Sequence, residues 1–134
     1  MKSIDNYKKI LLVDDDIDLL EQNKILFESL GLNIITADSA KEGLIQFMKE
    51  LPDAAIIDLI MERPDSGFVL SHKIKNTEHG RKIPVLILSS ATYDTGIKFG
   101  TTTPEEKAWI KCDGFLNKPV VIEELISKLE KFVN

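Results

Sequence analysis

Short apolar segments alternate with segments of helical spacing along this chain, and this alternation constrains the fold more than any other feature. Each apolar run is short and continuous, which is typical of strands buried on both faces of a sheet. A repeat of strand then helix predicts a doubly wound α/β fold, a five-stranded parallel sheet with helices on both faces. The predicted strands are KKILLV at 8–13, NIITA at 33–37, DAAIID at 53–58, IPVLILSS at 83–90 and GFLNKP at 114–119.

Helix signals lie between these strands. Apolar residues from Leu19 to Leu30 share one side of a first helix, and Gly31 stands where that helix should end. Ser39 and Glu42 form a capping box that opens a second helix. Apolar stripes predict further helices at about 68–75 and 122–132. The apolar side of the second helix is predicted to contain Ala40, Leu44, Phe47, Met48 and Leu51.

One more helix is predicted between the fourth and fifth strands. Thr103, Pro104 and Glu106 supply an N-cap, an N1 proline and an N3 glutamate. The helix therefore begins late, and Tyr93–Thr102 is predicted to be an irregular loop before it. Trp109 on this helix is either an exposed anchor for a partner or part of the core.

Composition excludes several classes of protein. The chain has 134 residues, a formal net charge of −5 and a pI near 5.1, which argues against direct nucleic-acid binding and a polybasic membrane patch. One cysteine permits no internal disulfide, and the first ten residues are unlike a signal peptide. We expect a single domain over 1–134, with its core at about 8–132, in the cytoplasm and away from membranes.

Polar side chains collect at the ends of the predicted strands. Because the carboxyl ends of parallel strands meet at one edge, these side chains should converge on the crevice where such folds bind ligands. Carboxylates there suit Mg²⁺, and a lysine and a hydroxyl beside them suit a phosphoryl group, with an aspartate as the nucleophile. Three adjacent aspartates alone are more often helix caps. The residues are Asp14, Asp15, Asp58, Ser89, Ser90 and Lys118.

The motifs ILLVDDD, AAIIDLIM, VLILSS and FLNKP, at these spacings, resemble the receiver domain of two-component response regulators. Each motif is weak alone, but all four occur in order, each at a strand end. The resemblance covers nearly the whole chain, about 8–132. It implies a flavodoxin-like sheet with strand order 2-1-3-4-5.

The resemblance also implies a metal site and an acceptor. Asp58 would be the phosphoacceptor. Asp15 would bind Mg²⁺ directly, Asp14 largely through a water, and the backbone carbonyl of Ile60 would complete the protein ligands.

The resemblance gives the remaining strand ends roles in the switch. Ser89 would hydrogen-bond a phosphoryl oxygen, and Lys118 would pair with the phosphoryl group. Phe115 aligns with the aromatic switch position, and the peptide bond before Pro119 is expected to be cis.

The implied activity is a phosphorylation switch without other enzymatic activity. A histidine kinase or a phosphotransfer protein would donate the phosphoryl group. The fourth helix, fifth strand and fifth helix would then change, altering binding to an unidentified downstream protein or supporting a homodimer. Ile60 and Ala91 are apolar and cannot orient a water, so we predict a long-lived aspartyl phosphate.

The chain departs from the family pattern after the acceptor, where it reads DLIMERPDSG. Glu62 replaces the usual proline, and one extra residue precedes Gly67, so the geometry of this turn is not fixed by the resemblance. Tyr93–Thr102 is longer than usual, which is either a tolerated insertion or a modified output face or lid.

Other readings of the chain stay open. A stand-alone receiver is expected, but a fragment of a longer regulator would look the same. A receiver-like scaffold working without phosphorylation is an alternative, and a small aspartate-nucleophile phosphatase, whose Asp-x-Asp spacing occurs in DDDID, is a weaker one. His72 and His79 are predicted on the surface, and Cys112 is predicted to be a small buried apolar residue.

Overall fold

The computed structural model describes residues 7–63, 65–90 and 112–132. Strands and helices alternate within these ranges as the apolar pattern predicts. The strands are β1 Lys9–Val13, β2 Asn33–Ala37, β3 Ala54–Asp58, β4 Val85–Ser90 and β5 Gly114–Lys118. The helices are α1 Ile17–Glu28, α2 Ala40–Glu50, α3 Ser66–Lys75, the short α4 Glu78–Arg81 and α5 Ile122–Lys131.

The five strands form one parallel sheet in the order β2-β1-β3-β4-β5. This confirms the predicted doubly wound fold and its strand order. The register aligns Val13 with Ala37 and with Ile57, and Asp58 with Leu88. The strands therefore end at one edge of the sheet, which brings their terminal side chains together.

The sheet separates two apolar cores, because successive side chains of a strand point to opposite faces. Leu12 and Ile56 face a core completed by α1 and α5, whereas Leu11 and Ile57 face a core completed by α2 and α3. Side chains on both faces are buried, which explains why the strand sequences are continuously apolar rather than alternating.

The apolar stripe predicted for α2 extends beyond what the sheet covers. Phe47 is buried, but Met48 and Leu51 are about half exposed, at 56% and 51%. Leu51 caps the helix in the left-handed conformation with φ 46°. The helix ends at Glu50, so Leu51 lies just beyond it, and the predicted apolar stripe is only partly buried.

The predicted surface position of His79 holds only in part, because the residue is half-buried. It lies on α4, a short helix that the sequence analysis does not predict. The Thr77 side chain caps this helix by accepting a hydrogen bond from the Gly80 amide. His79 is half-buried, with Nε2 2.7 Å from the carbonyl oxygen of Pro52 and its ring centroid 5.8 Å from that of Phe47. Packing against the end of α2 therefore holds the imidazole.

Two other sequence predictions concern half-buried residues. His72 on α3 is half-buried rather than fully on the surface. Cys112 is half-buried and packs against the core under α2 and α3, and burial raises the pKa of its thiol to about 12. The irregular loop, the helix start near Thr103, Trp109 and Ala91 lie outside the described residues.

None of the helices in the part of the chain that the structure describes has the length and hydropathy needed to cross a bilayer.

Candidate functional site

The predicted convergence of carboxylates occurs at the carboxyl edge of the sheet. Asp14 follows the last residue of β1, and Asp58 is the last residue of β3, the neighbouring strand. Each of Asp14, Asp15 and Asp58 offers an oxygen, and these oxygens all lie within 4.8 Å of one another. Asp14 and Asp58 are buried whereas Asp15 is exposed, so the cluster opens to solvent on one side.

Lys118 supplies a cation to this cluster from the end of β5. Its Nζ lies 2.7 Å from Asp58 Oδ1, a charge-assisted contact, and 3.8 Å from Asp14 Oδ2. The lysine therefore reaches across the end of β4 to the carboxylates. The peptide bond between Lys118 and Pro119 is cis, as the family resemblance implies.

Asp14 has an unusual environment. Its Oδ1 accepts a hydrogen bond of 3.0 Å from the Asp16 amide, but its buried Oδ2 has no hydrogen-bond partner among the described residues. Burial raises the pKa of Asp14 to about 6, and the charge of Asp58 acts in the same direction, while the Asp16 amide and Lys118 oppose it.

This environment fits a divalent cation. A buried carboxylate oxygen without a donor, close to two other carboxylates, can be satisfied by a hard cation with oxygen ligands. Asp14, Asp15 and Asp58 are the side chains that would hold it. The described part of the chain thus contains a candidate Mg²⁺ site where the sequence predicts one.

The turn after Asp58 depends on a close backbone approach. The Leu59 amide donates to the Leu88 carbonyl at 2.9 Å, and the Gly67 amide donates to the Leu59 carbonyl at 2.8 Å. A Cβ atom at Gly67 would lie 2.5 Å from the Asp58 carbonyl oxygen and 2.6 Å from the Leu59 Cα. Glycine is therefore required where α3 passes the acceptor strand.

Glu62, which stands where the family pattern has proline, makes a contact that the sequence reasoning missed. Its Oε1 accepts a hydrogen bond of 3.0 Å from the Ala40 amide at the start of α2. The turn is closed further by the Arg63 amide, which donates to Ser66 Oγ at 2.8 Å. Acidic side chains commonly interact with the N-terminal ends of helices. The sequence does not show which helix Glu62 would contact, because Ala40 lies 22 residues away and only the fold brings the two together.

The remaining predicted site residues lie around the same edge. Ser89 is buried in β4, one residue beyond the partner of Asp58 in the register. Ile60 follows in the turn with its side chain exposed. Phe115 on β5 is half-buried, and its ring meets that of Phe68 edge-on at 6.2 Å between centroids. Their roles in phosphoryl binding, metal binding and switching stay predictions.

Comparisons with known proteins agree with this architecture. A family model described as the response regulator receiver domain matches residues 10–130. The crystal structure of a response regulator receiver domain protein from Clostridium thermocellum superposes with a TM-score of 0.73 and is 26% identical in sequence. The superposition covers 91% of this chain and 90% of the Clostridium thermocellum chain.

Two sequence relatives differ in length. An uncharacterized 14.6 kDa protein of Leptolyngbya boryana is 29% identical over 126 residues, 92% of this chain and 88% of that protein. The response regulator MprA of Mycolicibacterium vanbaalenii is 27% identical over 123 residues, 90% of this chain and 48% of MprA. The chain spans about half the length, or less, of several curated relatives that it matches.

Proposed function

Because this chain belongs to the response regulator receiver domain family, we propose that it is a phosphorylation switch whose acceptor is Asp58. Membership gives the chain a phosphorylation-dependent role in signalling rather than that of a classical enzyme. The observation that carries the proposal is the contact of 2.7 Å between Lys118 Nζ and Asp58 Oδ1, next to a cluster of three carboxylates. Asp58, the proposed nucleophile, is buried and lies next to Lys118 and the candidate metal site.

The proposed donor is a phosphohistidine of a histidine kinase or a phosphotransfer protein. A carboxylate oxygen of Asp58 attacks phosphorus in line, and the bond between phosphorus and the histidine nitrogen breaks. The imidazole leaves with the electron pair of that bond and takes up a proton from solvent. Lys118 then pairs with a phosphoryl oxygen instead of the free carboxylate, and Ser89 hydrogen-bonds a second phosphoryl oxygen.

Asp14, Asp15, Asp58 and the Ile60 carbonyl are the groups proposed to hold Mg²⁺. Bound Mg²⁺ supplies neutralisation of the charge on the phosphoryl oxygens during transfer. Asp14 supports this assignment because its Oδ2 is buried without a hydrogen-bond partner in the described residues.

We propose that the signal leaves the site through Ser89 and Phe115. Movement of Ser89 toward the phosphoryl group would change the packing of Phe115, whose ring now contacts Phe68 on α3. The surface of β5, α5 and the helix predicted near Thr103 would then favour a second state, which binds a downstream protein or a second copy of the chain.

Hydrolysis of the aspartyl phosphate is proposed to be slow. Ile60, two residues after the acceptor, is apolar and exposed beside the site, so it cannot orient an attacking water. Ala91 is also apolar. A lifetime of seconds for the aspartyl phosphate would contradict this part of the proposal.

The decisive test is phosphorylation in vitro. The protein is incubated with Mg²⁺ and a small acyl phosphate, its intact mass is measured and the modified residue is mapped, alongside Asp58→Asn. The expected result is a mass gain of one phosphoryl group at Asp58 that requires Mg²⁺ and is absent from the variant. No gain in folded protein would instead favour a receiver-like scaffold that works without phosphorylation.

A further inference from the structure

We propose that Glu62 is a positioning residue for the divalent-cation site, acting through the acceptor loop, which we define as residues 59–63. The inference rests on the proposed function, because it concerns the Mg²⁺ site assigned above. It adds a residue whose side chain lies outside that site's ligand set and that the family resemblance does not provide. The hydrogen bond from Ala40 to Glu62 fixes the loop that carries the Ile60 carbonyl.

The first observation is how α2 begins. The amides of the first helical turn have no acceptor within their own helix. Ser39 Oγ serves the Glu42 amide at 3.1 Å, and Glu62 Oε1 serves the Ala40 amide at 3.0 Å. The helix is therefore capped once by its own preceding residue and once by the acceptor loop.

The second observation is how the acceptor loop is held. Both backbone groups of Leu59 are hydrogen-bonded, to Leu88 and to Gly67. Met61 is buried in the core under α2 and α3. Ile60 lies between these anchors with an exposed side chain, and Glu62 is the next point after Met61 at which the loop is tied to another element. The contact with Ala40 therefore restrains the loop on the C-terminal side of Ile60.

The third observation links the start of α2 to the carboxylates. The Asp14 amide donates to the Ala37 carbonyl at 3.1 Å, three residues before Ala40. The connection from Ala37 to Ala40 is short and contains the N-cap of α2. The hydrogen bond of Glu62 thus closes a ring of contacts running from Asp14 through the start of α2 to the acceptor loop. It thereby links Asp14, which directly follows β1, to the acceptor loop that carries Ile60.

The size of the effect is bounded by the hydrogen bond itself. A contact that favours one position of the loop can raise cation affinity by no more than the free energy by which it favours that position. For one exposed hydrogen bond this corresponds to roughly a threefold to fivefold change in the dissociation constant at most. The effect should be visible in Mg²⁺ binding before any phosphorylation takes place.

The test is calorimetric titration of Mg²⁺ into the protein and three variants. Glu62→Ala removes the acceptor atom, whereas Glu62→Gln keeps an acceptor oxygen and removes the charge. Glu78→Ala is the matched control, because it removes the same charge from an exposed side chain on α4. Amide hydrogen exchange of Ala40 with and without Mg²⁺ gives a second readout that does not depend on phosphorylation.

We expect the dissociation constant of Mg²⁺ to rise roughly threefold to fivefold in Glu62→Ala and to change less than about twofold in the other two variants. By linkage, Mg²⁺ should slow exchange of the Ala40 amide in the wild-type protein and not in Glu62→Ala.

Three outcomes would overturn the inference. Equal affinities in all four proteins would reject positioning by Glu62 and leave the proposed Mg²⁺ site intact. Equal weakening in Glu62→Ala and Glu62→Gln would mean that charge, not the hydrogen bond, is responsible. Absence of Mg²⁺ binding in every protein would reject the metal site itself and this inference with it.

Discussion

Lys118 Nζ lies 2.7 Å from Asp58 Oδ1, so the last residues of two strands that flank β4 form an ion pair at the edge of the sheet. The same nitrogen is 3.8 Å from Asp14 Oδ2. One cation thus faces the three carboxylates of Asp14, Asp15 and Asp58. Among the described residues the negative charge is only partly balanced, which makes the stability of this edge sensitive to cations.

Replacing Lys118 by methionine should destabilise the metal-free protein. The variant keeps an apolar stem but leaves Asp58, which is buried, without its cation. We expect the free energy of unfolding in urea to fall by about 1 to 3 kcal/mol. Because bound cation stabilises the folded state, added Mg²⁺ should recover more stability in this variant than in the wild-type protein.

Lys82→Met is the control for the Lys118 variant. Lys82 is exposed and its nitrogen is 3.8 Å from Glu78, so its loss should change the free energy of unfolding by less than about 0.5 kcal/mol. Equal losses in the two variants would contradict the assignment of Lys118 as the counter-ion of the acidic cluster.

Asp14→Asn should have the opposite effect on the metal-free protein. At neutral pH the carboxylate is ionised although burial holds its pKa at about 6, which means that the charge opposes folding. The amide oxygen can still accept from Asp16, and its N–H groups can donate toward Asp58. We expect urea unfolding without metal to show a gain of about 1 to 3 kcal/mol, together with loss of Mg²⁺ binding by calorimetry.

Asp15→Asn separates burial from charge in the same experiment. Asp15 is exposed, so its neutralisation should leave the metal-free stability nearly unchanged while also weakening Mg²⁺ binding. A loss of stability in Asp14→Asn would instead show that the buried Asp14 carboxylate makes a net favourable contribution to folding.

Much of the fold follows from local sequence patterns. The observed strands begin and end within two residues of the predicted bounds, because strands buried on both faces must be apolar throughout. The positions of Asp14, Asp58 and Lys118 follow from the same argument, since parallel strands end at one edge. Neither inference requires knowledge of which side chains touch.

Contacts between distant segments were not predictable in this way. The hydrogen bond from Ala40 to Glu62 spans 22 residues and joins the start of α2 to the acceptor loop, whose approach only the complete fold determines. The contact of His79 with Pro52 likewise depends on how the end of α2 meets α4. Exposed acids and histidines suit many partners equally well, so their sequence context alone does not select one.

Gly67→Ala should disturb the acceptor directly. The added methyl group would lie 2.5 Å from the Asp58 carbonyl oxygen, and backbone at this position cannot move without moving the acceptor. We expect a loss of about 1 to 3 kcal/mol in urea unfolding and a marked decrease in the rate of Asp58 phosphorylation followed by intact mass.

Gly43→Ala provides the comparison for Gly67→Ala. Its added methyl group would first meet side-chain methyl groups of Leu70 and Val13, at 2.9 and 3.0 Å. The contacts are with side chains rather than with the acceptor backbone, and alanine favours the helix by about 1 kcal/mol. Phosphorylation of Gly43→Ala at a wild-type rate is expected; an equal decrease in both variants would mean that close packing in general, not the acceptor backbone, limits the rate.

The effect of Tyr7→Phe on the free energy of unfolding should change sign between neutral and strongly alkaline pH. The Tyr7 hydroxyl donates to the Leu129 carbonyl at 2.7 Å, and burial, with Asp53 nearby, raises its pKa from 10.0 to about 12. Its protonated form therefore stabilises the fold fully below about pH 10, and about 2 to 3 kcal/mol is lost as pH rises through about 12. The variant, which cannot ionise, loses only the hydrogen bond, about 1 kcal/mol. In paired urea titrations the wild-type protein should be the more stable at about pH 8 and the less stable at about pH 12; an unchanged order at both pH values would show that the hydroxyl ionises without cost.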